Sequence, residues 1–143
     1  GDYKNISTDI TNKFAQEADA INHITATAIE FHQDYCLNCL ETSSQKLWVG
    51  HEPIAKNTLV NLEIRAKDIS ISLNPINDSS MLNTIKTTLA NFYEIPNFQY
   101  LLKLRFENSY LIAFITKKSF IDLQCKKEMD LFASFKSVNV ISI

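Results

Sequence analysis

The sequence predicts an α+β fold: an antiparallel sheet of about five or six strands, two helices packed on it, and a long helix in front. Three observations lead there. Residues 9–39 carry apolar side chains at helical spacing, residues 98–117 alternate as a β-hairpin, and two further helical stripes flank that hairpin. With 143 residues and 45% hydrophobic content, the chain can bury one core and is read as a single domain over 1–143.

The first element is a helix over 9–39, with Thr8 or Asp9 as its N-cap. Ile10, Phe14, Glu17, Ile21, Ile24, Ala28, Phe31 and Tyr35 follow one another by fours and threes, a heptad-like seam interrupted once by charge. A helix of roughly 30 residues reaches about 45 Å, whereas a nine-residue strand covers about 30 Å. One end is therefore expected to overhang the sheet. Ile10, Phe14, Ile21, Ile24, Phe31 and Tyr35 become the candidate interaction surface for a second copy of the chain or another protein.

The sheet and its two helices are expected to occupy 45–143. Leu47-Trp48-Val49 is a short strand closed by Gly50. In 59–73, Val60, Leu62, Ile64 and Ala66 keep one phase and Ile69, Ile71 and Leu73 the other. The slip at Lys67-Asp68 is read as a tight hairpin. Leu82, Ile85, Leu89 and Phe92 mark a second helix, capped by Asp78 or Ser79 and stopped before Pro96. In the central hairpin Phe98, Tyr100, Leu102, Leu104 and Phe106 face inward, and the second arm, Tyr110 to Ile115, is apolar on both faces. Ser119 and Asp122 suggest a capping box opening a third helix to about Phe135, with Ile121, Cys125, Met129, Phe132 and Phe135 inward. Val138–Ile143 reads as a last strand. No internal repeat or linker is evident.

From residue 69 the order β-α-β-β-α-β is the ferredoxin-like split βαβ pattern. With both hairpins formed, the whole order is similar to that of the dimeric chaperones of type III secretion. That resemblance implies a dimer binding an unfolded partner segment.

Little in the sequence points to catalysis. The net charge is −2, which disfavours nucleic acid as a partner, and an RNA-recognition reading lacks glycine and exposed aromatics on its third strand. Only Gly1 and Gly50 are glycines, which disfavours phosphate-cradling loops. No apolar run approaches the roughly 20 residues of a membrane helix. The three cysteines do not make a disulfide framework and point to a cytoplasmic or other reducing compartment. On a helix, His32, Cys36 and Cys39 would share a face, but a tetrahedral metal site needs a fourth ligand that only scattered residues (Glu41, His51 or Cys125) offer. No catalytic residue, metal or cofactor is therefore expected. The leading expectation is a non-catalytic interaction and dimerisation scaffold working through its helix seam, a homodimer in the simplest case. The chaperone-like dimer and a small-ligand or metal-binding sensor using the His32–Cys39 face are the alternatives.

Overall fold

The structure, a computed structural model, describes residues 20–143. Ile10 and Phe14 of the expected seam lie outside them. The described chain is built almost wholly of strands: β1 (Ile21–His32), β2 (Leu37–Thr42), β3 (Gln45–Gly50), β4 (Leu59–Arg65), β5 (Ser70–Ser72), β6 (Asn83–Ile95), β7 (Gln99–Phe106), β8 (Ser109–Thr116), β9 (Asp130–Phe135) and β10 (Asn139–Ser142). One short helix, α1 (Lys117–Asp122), follows β8, and a single 3₁₀ turn covers Ala66–Asp68.

These strands form two five-stranded antiparallel sheets, in the orders β10-β4-β1-β2-β3 and β5-β9-β6-β7-β8. Position by position the sheets correspond, so the chain is an internal repeat whose last strands are exchanged. β5, which follows the first repeat, pairs with β9 of the second, and β10 crosses back to β4. The correspondence reaches individual residues. The β1–β2 register shifts between Ala28 and Glu30, and the β6–β7 register between Leu89 and Asn91. At each bulge the backbone is held by a passing loop. Asn57 N–H donates to the Ala28 carbonyl at 2.8 Å, and Glu128 N–H to that of Leu89 at 2.7 Å. Asn57 and Glu128 both adopt left-handed backbones, φ 71° and 70°. One apolar cluster joins both repeats, running from Ile24, Leu40 and Leu62 to Leu104, Leu131 and Phe135.

Two buried asparagines clamp the repeats together. Asn22 on β1 donates through Nδ2 to the Ile112 carbonyl at 2.9 Å and accepts from Ile112 N–H at 2.7 Å. Asn83 on β6 does the same to Trp48, at 3.0 and 2.6 Å. Each asparagine thus pairs the N–H and C=O of one residue on the opposite repeat's outer strand, which among the described residues has no further strand beyond it.

The central hairpin forms as expected, with Leu104 opposite Leu111 and Leu102 opposite Ala113, although Phe98 is exposed in the preceding turn. The strands expected at 47–49, within 59–66 and at 138–143 also form, whereas the helical part of the α+β scheme is corrected. There is no long helix over 20–39, no ferredoxin-like unit and no coiled-coil seam. Residues 21–42 are a β-hairpin, and 83–95 is a strand. The cause is a bulge in each case. In β1 the buried set Asn22, Ile24, Ala26, Ala28 has period two, with a polar and two small residues disguising it. The bulge then shifts the phase, so that Ile21, Ile24, Ala28 and Phe31 fall at threes and fours by coincidence. β6 repeats this with Leu82, Ile85, Leu89 and Phe92. The expected third helix ends at Asp122, and Asp130–Phe135 is a strand. The phase slip at Lys67-Asp68 is a 3₁₀ turn through which the chain leaves one sheet for the other, not a hairpin.

Candidate functional site

Three clefts differ in chemistry. The first, about 410 Å³, lies where exchanged strand β5 meets the end of β8 and α1; Ile69, Ser70, Ile71, Phe114, Ile115, Thr116, Ser119, Asp122 and Leu123 line it. Its hydroxyls come from both parts of the chain, Ser70 from β5, Thr116 from the end of β8 and Ser119 from α1. Thr116 caps α1, its Oγ1 accepting from Ser119 N–H at 3.0 Å and donating to Ser119 Oγ at 3.1 Å. Phe120 fixes α1 by stacking on Tyr100 with ring centroids 3.8 Å apart and meeting Phe92 edge-on at 4.8 Å. Lys117 N–H donates to the Phe98 carbonyl at 2.8 Å, tying the same segment to the β6–β7 turn. The cleft's carboxylate, Asp122, is matched by Lys118 Nζ at 2.6 Å, and that hydrogen bond raises the lysine's pKa. Its walls are otherwise apolar. A small polar anion would find the hydroxyls of Ser70 and Ser119 and a carboxylate already paired with Lys118.

A second cleft of about 350 Å³ lies between the repeats, lined by Ser44, Gln45, Lys86, Thr87, Thr88, Arg105, Phe106 and Glu107. Its best cation is already engaged, since Arg105 donates to both carboxylate oxygens of Glu128 at 2.9 and 3.5 Å. Gln45 spends its amide on the Lys86 backbone at 2.8 and 3.5 Å. The third cleft, about 340 Å³, is apolar, walled by Tyr35, Leu37, Trp48, Met81 and Leu82.

The residues singled out as an interaction seam do not form one. Ile24 is buried in the core from β1, Ile21 is exposed on that strand's other face, Phe31 is half-buried, and Tyr35 stands exposed in the β1–β2 turn. His32 closes β1, Cys36 is in the turn and Cys39 is in β2, so no helix face gathers them. His32 instead contacts Glu30 at 2.7 Å and meets the Trp48 ring edge-on at 4.8 Å. Cys36 is exposed and Cys39 buried, and burial pushes the Cys39 and Cys125 thiols above their ordinary pKa. Among the described residues no three His, Cys, Asp or Glu side chains are placed to hold a metal ion. Ser70, Thr116 and Asp122 had no sequence signal as a group, because β5 reaches α1 only through strand exchange. The repeat did leave a trace, in Asn22/Asn83, Ile24/Ile85, Thr27/Thr88 and Phe31/Phe92, each pair at a constant offset.

No family model matches the chain. Curated relatives do. It is 29% identical over 144 residues, 99% of its length, to the molybdenum import ATP-binding protein ModC of Saccharophagus degradans. Identity is 27% to the ModC proteins of Aromatoleum aromaticum and Yersinia pestis, over 90% and 87% of the chain. The chain spans only 40%, 34% and 34% of these three relatives' lengths. Among solved structures, the cytoplasmic molybdate-binding protein ModG with molybdate bound aligns at a TM-score of 0.69 and 16% identity, covering 84% of this chain and 93% of that one. The all-β fold is thus one already seen in ModG, and the expected helix-based interaction, dimerisation and chaperone-like readings fall with the helix on which they stood.

Proposed function

We propose that this chain is a non-catalytic oxyanion-binding domain that takes molybdate in the cleft between β5, β8 and α1. The observation carrying it is that Ser70 from β5 and Ser119 from α1 bring two hydroxyls to one cleft, Ser119 being held by Thr116 Oγ1, beside a carboxylate already paired with Lys118. A tetrahedral dianion is held best by several converging donors in a site of low competing charge. The similarity to molybdenum import proteins and to molybdate-binding ModG supports molybdate within that class. The relatives are ATP-binding proteins, but this chain matches only part of their length, and its glycine-poor sequence has no loop suited to triphosphate. Its role would be to sense or hold the anion, in the cytoplasm as the neighbour does. Among the described residues no helix is long and apolar enough to cross a membrane. The expected homodimer passes into this proposal without its helix seam, and sedimentation equilibrium with and without molybdate tests it.

Equilibrium dialysis with molybdate, read by elemental analysis, tests the site. Ser70→Ala and Ser119→Ala each remove one hydroxyl donor, and each lost hydrogen bond to a charged group costs about 1.5–3 kcal/mol, roughly tenfold or more in affinity. The wild type is expected to bind, and Ser70→Ala and Ser119→Ala each to weaken binding at least tenfold. Unchanged affinity in both variants would move the site elsewhere.

A further inference from the structure

The cleft between β5, β8 and α1 is lined by a single ionisable side chain, Asp122, and no lysine or arginine stands among its lining residues. Lys118, one turn earlier on α1, reaches back to Asp122 Oδ2 at 2.6 Å without lining the cleft itself. The other lysine of the helix serves a different carboxylate. Lys117 Nζ lies 3.9 Å from Glu94 Oε2, which also accepts from Tyr100 Oη at 3.3 Å. Of the two, only Lys118 answers the charge in the cleft.

The Lys118–Asp122 pair is not what holds α1 in place. The helix has no buried residue and rests on the Phe120–Tyr100 ring stack and the Thr116 cap. The two side chains are 83% and 58% exposed, and an exposed pair four residues apart on a helix adds little stability. Its effect on an anion in the cleft is of another kind. An ionised carboxylate only accepts hydrogen bonds, so it has nothing to donate to a fully deprotonated oxyanion and repels it through space. A lysine bonded to that carboxylate cancels much of the repulsion.

We infer that the Lys118–Asp122 pair sets how tightly the cleft holds a dianion, Asp122 limiting the affinity and Lys118 offsetting that limit. This rests on the oxyanion reading above and deepens it by naming the two residues that tune it. The partners of one ion pair then act in opposite directions on binding, although they act alike on the helix.

That opposition is the test. Molybdate binding to the intact chain and to Asp122→Asn and Lys118→Gln is measured by equilibrium dialysis, with each fold checked by circular dichroism. Two salt concentrations are used, about 0.01 M and about 1 M, where charges are felt over roughly 30 Å and 3 Å. At low salt Asp122→Asn should tighten binding about threefold or more and Lys118→Gln weaken it by a similar factor, as suits one screened charge acting on a dianion. At high salt both variants should return to the wild-type affinity measured there. A pair that only staples α1 would make both variants weaken together, at either salt concentration. That result, or any in which the two do not move in opposite directions, would overturn the inference while leaving oxyanion binding intact. A wild type that binds no molybdate would instead overturn the functional reading, and this inference with it.

Discussion

The two repeats share strand order, bulge, left-handed loop residue and asparagine clamp, yet they diverge beyond their third strands. After β8 the chain makes an exposed helix resting on aromatic rings; after β3 it makes a loop bound to Asn38 and anchored by Ile54. The shared features are all backbone devices that hold two sheets together. The divergent ones lie at the ends of the outer strands, and only the segment after β8 borders a cleft. Each repeat needs the other's exchanged strand, so both are bound to keep the architecture, whereas only one is needed to carry a site.

That comparison is open to breaking, first in the core. Leu40 and Leu104 occupy equivalent, fully buried positions. Leu→Ala at either should cost about 2–5 kcal/mol, seen as a shift of one urea transition. Because the core is shared, the whole transition should move whichever repeat is hit. Two transitions, of which only one responds, would show the repeats to be independent folding units.

The clamps come next. Asn22→Ala and Asn83→Ala each strand a peptide N–H and C=O of the opposite repeat, and an unsatisfied buried group costs about 1–3 kcal/mol. We expect losses of similar size from both, measured by the same denaturation. A harmless Asn83→Ala beside a damaging Asn22→Ala would mean that the symmetry is formal and not energetic.

The smallest effect concerns the thiols. With a maleimide reagent, exposed Cys36 should label first, half-buried Cys125 slowly, and Cys39 only on unfolding. Burial raises the Cys39 and Cys125 pKa above the ordinary 9.0. The unfolded chain therefore releases these protons first, and stability should decline slightly as pH rises above about 9, by linkage. Serine at both positions should flatten that slope; an unaltered slope would trace it to other groups.

Some of this molecule was legible in its residues. The first arm of the central hairpin alternates cleanly and neither arm is bulged against the other, and the hairpin formed where expected. β1 and β6 were misread as helices because a polar asparagine begins each buried row, and a bulge then breaks its period. The functional cleft was not legible. Its hydroxyls sit at Ser70, Thr116 and Ser119, and only a strand that leaves its own sheet brings the first to the others.

What the sequence by itself determined is local: apolar content enough for a core, the 98–117 hairpin, the strand at 47–49, the last strand, and the absence of glycine-rich phosphate loops. Those features arise from neighbouring residues, whose alternation and turn chemistry act over a few positions. The repeat, the strand exchange and the cleft between β5, β8 and α1 were decided by tertiary structure. A bulge costs nothing visible in composition, and an exchanged strand is chosen by which open edge it can satisfy. Only the folded sheets, with β4 and β9 each waiting for a partner, settle that choice.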